Sequence, residues 1–67
     1  MRKFCERLKE LRTERKLSIL ALAKEIGVSD ATICRWENGV NDITGDSLVV
    51  LAKFFGVTSD YLLGLED

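Results

Sequence analysis

Histidine and proline are both absent from the 67-residue sequence. Without imidazole there is no side chain whose unperturbed titration falls near neutral pH, and no histidine-containing metal site can form. The two cysteines, Cys5 and Cys34, are too few for a tetrahedral thiolate zinc site and lack CxxC spacing. In a reducing cytosol both are expected to remain thiols. No metal, no cofactor and no enzymatic activity are therefore expected. Long apolar runs are missing too, with nothing approaching the ~20 residues that a membrane-spanning helix requires. The opening Met1-Arg2-Lys3-Phe4-Cys5-Glu6-Arg7 is basic but leads into no apolar stretch, so no secretory signal is expected and the expected location is the cytoplasm. A chain this short buries only ~60% of the surface that its unfolded form exposes. That predicts a single domain over residues 1–67, with one core and no deep pocket.

What is present is ordinary for a globular domain: 46% hydrophobic and 31% charged residues. The formal net charge of −1 argues, taken alone, against a polyanionic partner. The total hides an asymmetry. Residues 1–28 hold eight basic and four acidic groups, a net +4, whereas residues 29–67 hold two basic and seven acidic groups, a net −5. Exposed charges act over roughly one Debye length, ~8 Å at physiological salt, so a partner senses the local field before the sum. A basic face on a slightly acidic chain is allowed. The plainer alternative is a solvated first helix, with Glu6, Glu10 and Glu14 interleaved among the bases.

Glycines at 27, 39, 45, 56 and 64 punctuate the chain into segments suited to short helices. Apolar residues at 4, 8 and 11 predict a first helix from Phe4 to about Lys16. Ser18 is a natural N-cap for a second helix, Ile19 to Ile26, with Leu22, Ala23 and Ile26 facing inward and Gly27 ending it. Ser29 caps a third, about Asp30 to Asn38, whose Ile33, Trp36 and Glu37 share one face and whose Ala31, Cys34 and Arg35 share the other. After a loop, Val40 to Ile43, Thr44 caps a fourth helix with an inward stripe of Leu48, Leu51, Ala52 and Phe55. Thr58 or Ser59 caps a last short helix that contains Tyr61 and stops at Gly64. The expected fold is all-α, a compact five-helix domain. Its second and third helices are joined by three residues that include a glycine, and the small Ala23 sits where their axes must approach. That is the pattern of a helix-turn-helix, in which the second helix of the pair enters the DNA major groove.

A set of segments sharpens this pattern. Leu17-Ser18, Leu22-Ala23, Ile26-Gly27-Val28-Ser29, Ile33, Trp36-Glu37-Asn38-Gly39, Leu51-Ala52, Phe55-Gly56-Val57 and Asp60-Tyr61-Leu62-Leu63-Gly64 resemble the XRE family of helix-turn-helix regulators. The chain is similar in this to the DNA-binding domains of lambdoid phage repressors, over about Phe4 to Gly64. The resemblance implies that residues opening the third helix, and those one turn on, read base edges: Asp30, Ala31, Thr32 and Arg35, preceded by Ser29 and with Cys34 at the margin. Arg35 suits a bidentate contact to guanine, Ala31 a thymine methyl and Asp30 a cytosine amino group. Phosphate contacts are implied for Ser18, the Ile19 backbone amide and Asn38, assisted by Arg12, Arg15 or Lys16. Each assignment has a simpler counterpart: Arg35 as a solvated surface charge, Asp30 as a complement to the helix dipole, Asn38 as a turn former. The resemblance also pairs Glu37 with Arg12 as a structural ion pair. Trp36 reads as packing.

Departures from the family pattern are mostly apolar. Ile19 stands where glutamine is usual, Leu20 where a polar residue is common, Val40 where a basic one is frequent and Ile43 where proline is frequent. Val50 and Phe54 also replace smaller or polar residues. The surplus of Ile19, Leu20, Val50 and Phe54 suggests an exposed apolar surface, with Tyr61, Leu62 and Leu65 as further candidates for contact between two copies. The implied function is a sequence-specific DNA-binding transcriptional regulator, a repressor, binding a palindromic operator in double-stranded DNA as a homodimer and without cofactor. The alternative is a protein-interaction module, antitoxin-like or adaptor, that uses the same fold to hold a protein partner.

Overall fold

A computed structural model describes residues 2–40 and 43–66, and its helices follow from local capping chemistry. They are α1 (Arg2–Glu14), α2 (Ile19–Ile26), α3 (Asp30–Asn38), α4 (Gly45–Phe55) and α5 (Ser59–Leu63). Ser18, Ser29, Thr44 and Thr58 are the N-caps of α2 to α5; each side-chain oxygen accepts the amide three residues on. Thr58 rather than Ser59 is thus the cap of α5. Gly27, Gly39, Gly56 and Gly64 close the same helices in the left-handed region, which glycine enters without a Cβ penalty. The expected bounds of α2 and α3 hold as drawn.

The ends of α1 differ from the expectation. It begins at Arg2 and ends at Glu14, two residues short of Lys16. Lys16 itself takes the left-handed conformation, φ 58°, while its amide donates to Thr13 O at 2.9 Å and the Leu17 amide donates to Arg12 O at 3.1 Å. These bonds close the helix in the way a terminal glycine normally does, at a lysine that carries no sequence signal for it. Within the predicted loop Val40 to Ile43, residues 41 and 42 lie outside the described residues. Ile43 packs against the core.

The helices surround one core, to which Phe4 and Leu8 contribute from α1, Leu22 and Ala23 from α2, and Ile33 and Trp36 from α3. Leu51, Ala52 and Phe55 of α4 and Leu62 of α5 complete it. Helix α3 packs against both α1 and α2, while α5 bridges α1 and α4. Each short helix is therefore held by tertiary contact rather than by its own propensity. Thr44 tests the local contribution, because its hydroxyl is engaged within the α4 cap, with the Ser47 amide and hydroxyl. Thr44→Ala is expected to cost about 1 kcal/mol, a fall in melting temperature of about 4–8 °C that thermal denaturation will measure.

Candidate nucleic-acid interface

The amino ends of α2 and α3 lie side by side. At α2 the Ser18 side chain accepts the Ala21 amide at 3.0 Å, so its own O–H proton stays available to an acceptor. The first amides of α2, those of Ile19 and Leu20, precede the first intrahelical bond and point along the positive end of the helix dipole. At α3 the Ser29 hydroxyl accepts the Thr32 amide at 3.2 Å and shares a hydrogen bond of 2.8 Å with the Thr32 hydroxyl. Ser29 and Thr32, both predicted to face DNA, thus serve first to hold the start of the helix. Asp30 Oδ1 accepts the Ala31 amide at 2.9 Å, which leaves Oδ2 for another donor.

Helix α3 divides as its sequence predicts. Ile33 and Trp36 are buried, with Glu37 beside them, while Asp30, Ala31, Cys34 and Arg35 are exposed on the opposite side. Trp36 is part of the core and out of reach of a base. Asn38 is exposed at the far end of α3, about 12 Å along the axis from Asp30. Its side chain donates to Cys34 Sγ at 3.4 Å, which folds it back along the helix.

Arg7, Arg12, Arg15 and Arg35 divide into those bound within the fold and one that is not. Arg12 donates through Nε to Glu37 Oε2 at 2.6 Å and through Nη2 to Glu37 Oε1 at 3.0 Å, and its Nη1 donates to Leu17 O at 2.8 Å. The Glu37 bond holds the Arg12 guanidinium above its ordinary pKa, against the opposing effect of burial. Arg15 donates to Phe54 O at 3.0 Å and to Phe55 O at 3.1 Å, with its guanidinium 5.2 Å and 5.1 Å from those two rings. It satisfies the carbonyl end of α4. Arg7 donates to Tyr61 O and Glu66 O and lies 4.3 Å from the Tyr61 ring centre. Arg35 alone among these carries a guanidinium with no hydrogen-bond or ion-pair partner among the described residues. Arg12 and Arg15 are thus occupied with the fold, and of the three cations expected to assist phosphate binding, Lys16 remains exposed, its ammonium without a partner among the described residues.

Between the two helix starts lies an open hollow bordered by Arg12, Ser18, Ile19, Leu20, Asp30, Ala31 and Cys34. It brings together four of the predicted residues, Ser18, Ile19, Asp30 and Ala31; Arg35 and Asn38 extend the same helix beyond it. Leu20, at 53% exposure, was legible only as a surplus apolar residue. Its position off the inward stripe of α2 was the available signal. The other apolar departures separate into two groups. Ile19, Ile43 and Phe54 pack against the core, whereas Leu20, Val40 and Val50 are exposed. Leu62 is fully buried, which removes it as a contact between copies. A period of 3.6 residues in a five-residue helix is too short to show which side faces in.

This geometry, two capped helices joined by a left-handed glycine with α3 presenting its outer face, coincides with a helix-turn-helix family model that matches residues 8–62. The chain belongs to the XRE-type helix-turn-helix family. It is 38% identical over 64 residues to the uncharacterized HTH-type transcriptional regulator YobD of Bacillus subtilis (strain 168), covering 96% of this chain and 57% of that protein. It is 41% identical over 64 residues to the HTH-type transcriptional activator BcrR of Enterococcus faecalis, covering 96% and 31%. The chain thus spans little more than half, or less, of the length of these relatives. The crystal structure of the P22 c2 repressor protein in complex with synthetic operator 9T superposes with a TM-score of 0.83 at 34% identity, covering 88% of this chain and 89% of that one. Among the described residues, no helix of this family member is long and apolar enough to cross a membrane.

Proposed function

We propose that this chain is a sequence-specific DNA-binding transcriptional regulator, a repressor, whose α3 lies in the major groove. The observation that carries the reading is the free guanidinium of Arg35 on the outer face of α3, in a domain where Arg7, Arg12 and Arg15 are spent internally. Arginine reads guanine through paired contacts to O6 and N7, and Ala31 and Asp30 are placed one turn earlier to meet the neighbouring base pairs. Ser18 and the first amides of α2 grip a phosphate and set the register. The likeness to an operator-bound repressor supports the same orientation. Two copies on half-sites roughly 34 Å apart read a palindrome. The protein acts in the cytoplasm and requires no cofactor for binding.

Selection from randomised duplexes, followed by titration at two salt concentrations, tests the reading. The expected result is a palindromic consensus bound by two chains, with affinity that falls as salt rises. Arg35→Ala is expected to cost about 1–3 kcal/mol in binding and to relax the preference at one base pair per half-site, while thermal stability is kept. Enrichment of no sequence would refute the proposal.

A further inference from the structure

The hollow between α2 and α3 is bordered by polar groups most of which are already committed. Arg12 is held by Glu37 and Leu17 and Asp30 Oδ1 by the Ala31 amide, while the Ser18 oxygen accepts the Ala21 amide and keeps its O–H proton for a phosphate. What remains toward an entering group besides the Ser18 O–H is chiefly carbon: the side chains of Ile19, Leu20 and Ala31, with the Cys34 thiol and one free carboxylate oxygen of Asp30. Leu20 lies off the inward stripe of its helix and keeps 53% of its surface exposed, while Ile19 rests on the core behind it. Beyond the Ser18 hydroxyl proton and the first amides of α2, the hollow offers a phosphate little, because the charge of Asp30 repels it and the Arg12 donors are taken. In the major groove the base edge that matches a carbon-lined wall is thymine, whose C5-methyl group is the apolar feature of the four bases.

We propose that Ile19 and Leu20 form an apolar wall that seats a thymine C5-methyl group, so that α2 as well as α3 determines sequence specificity. This rests on the DNA-binding reading and goes beyond it. The side chains of α2 act as a selector, in addition to the grip of its amides on phosphate. The free oxygen of Asp30 requires a donor near that methyl group, and the adenine N6 amino group of the same A·T pair supplies one.

The test replaces each thymine of the selected half-site in turn by deoxyuridine, which removes the methyl group and leaves base pairing unchanged. Binding of the wild-type chain is expected to weaken about fourfold at one position, the worth of one buried methyl group. The thymine-to-deoxyuridine ratio at that position is expected to shrink in Leu20→Ser and to fall to one in the Ile19→Ser, Leu20→Ser double variant. Melting temperatures are recorded alongside, and the nucleotide replacement itself leaves the protein untouched. Selective binding with a ratio of one at every thymine overturns this inference and leaves the regulator reading standing. So does a ratio that survives both serine replacements, since Ala31 then suffices. Absence of any selective binding overturns both.

Discussion

Arg12→Ala is expected to remove most of the stability of the domain and to leave a large unfolded population at room temperature. The Arg12 and Glu37 side chains keep only 12% and 6% of their surfaces exposed, and two hydrogen bonds join them in a forked pair. Truncation strands the Glu37 carboxylate in the interior and releases Leu17 O from its donor. Breaking a buried pair on one side costs about 3–5 kcal/mol. A chain of this length has about 3–10 kcal/mol in all, at roughly 0.05–0.15 kcal/mol per residue. Removing both charges together, in Arg12→Met with Glu37→Leu, is expected to recover much of the loss, because no unpaired charge then stays behind. Urea denaturation followed by the fluorescence of Trp36, the single tryptophan, measures both. An unchanged midpoint in Arg12→Ala would show that the pair contributes nothing. The bond to Glu37 raises the pKa of Arg12, partly offset by burial. The stability linked to that shift is therefore fully present below the ordinary guanidinium pKa. It fades only as pH rises through the higher folded value, so this contribution is constant across the physiological range.

Trp36→Ala is expected to cost a further class of interaction, packing, at about 3–5 kcal/mol. The indole is 5% exposed and joins α3 to the core. Beside it lies a small open cleft lined by Ile26, Val28 and Val50 among others, so truncation extends that cleft toward the core. Thermal melting by circular dichroism reads the loss, and Trp36→Phe, which keeps an aromatic ring, is expected to lose less. The comparison with Arg35→Ala separates fold from recognition. The tryptophan variant loses melting temperature and DNA binding together, whereas the arginine variant loses specificity and keeps its melting temperature. Loss of binding with an unchanged melting temperature in Trp36→Ala would instead make Trp36 a base-stacking platform.

The starts and stops of α2, α3 and α4 and the stop of α5 were legible because their causes are local. A hydroxyl three residues before the amide it accepts, and a glycine at a left-handed position, are written within one turn of chain. The end of α1 was not legible, since Lys16 reaches the left-handed region through a turn that Arg12 braces by its bond to Leu17 O. The site was legible by position but not by availability. The basic first half of the chain suggests a broad cationic face, yet Arg7, Arg12 and Arg15 spend their guanidinium groups on Tyr61 and Glu66, on Glu37 and on the end of α4. The net charge of −1, which taken alone argues against a polyanionic partner, is thus compatible with a DNA reader that relies on helix termini and on Arg35. The apolar departures divide in the same way: Phe54 stacks edge-on against Phe55 with centroids 5.0 Å apart, while Leu20 is left at the surface.

The sequence by itself determined the number of helices, the caps that bound α2, α3 and α4, the glycine that ends α5, the helix-turn-helix pair and which face of α3 turns outward. All of these depend on interactions spanning three or four residues, which the order of side chains encodes directly. Tertiary structure decided which charges remain for a partner and which apolar residues remain exposed. Those outcomes depend on groups 25 to 59 positions apart along the chain, such as Arg12 with Glu37 and Arg7 with Glu66. No periodicity encodes a contact at that separation, and a guanidinium looks the same in sequence whether it closes the end of a helix or waits for a guanine.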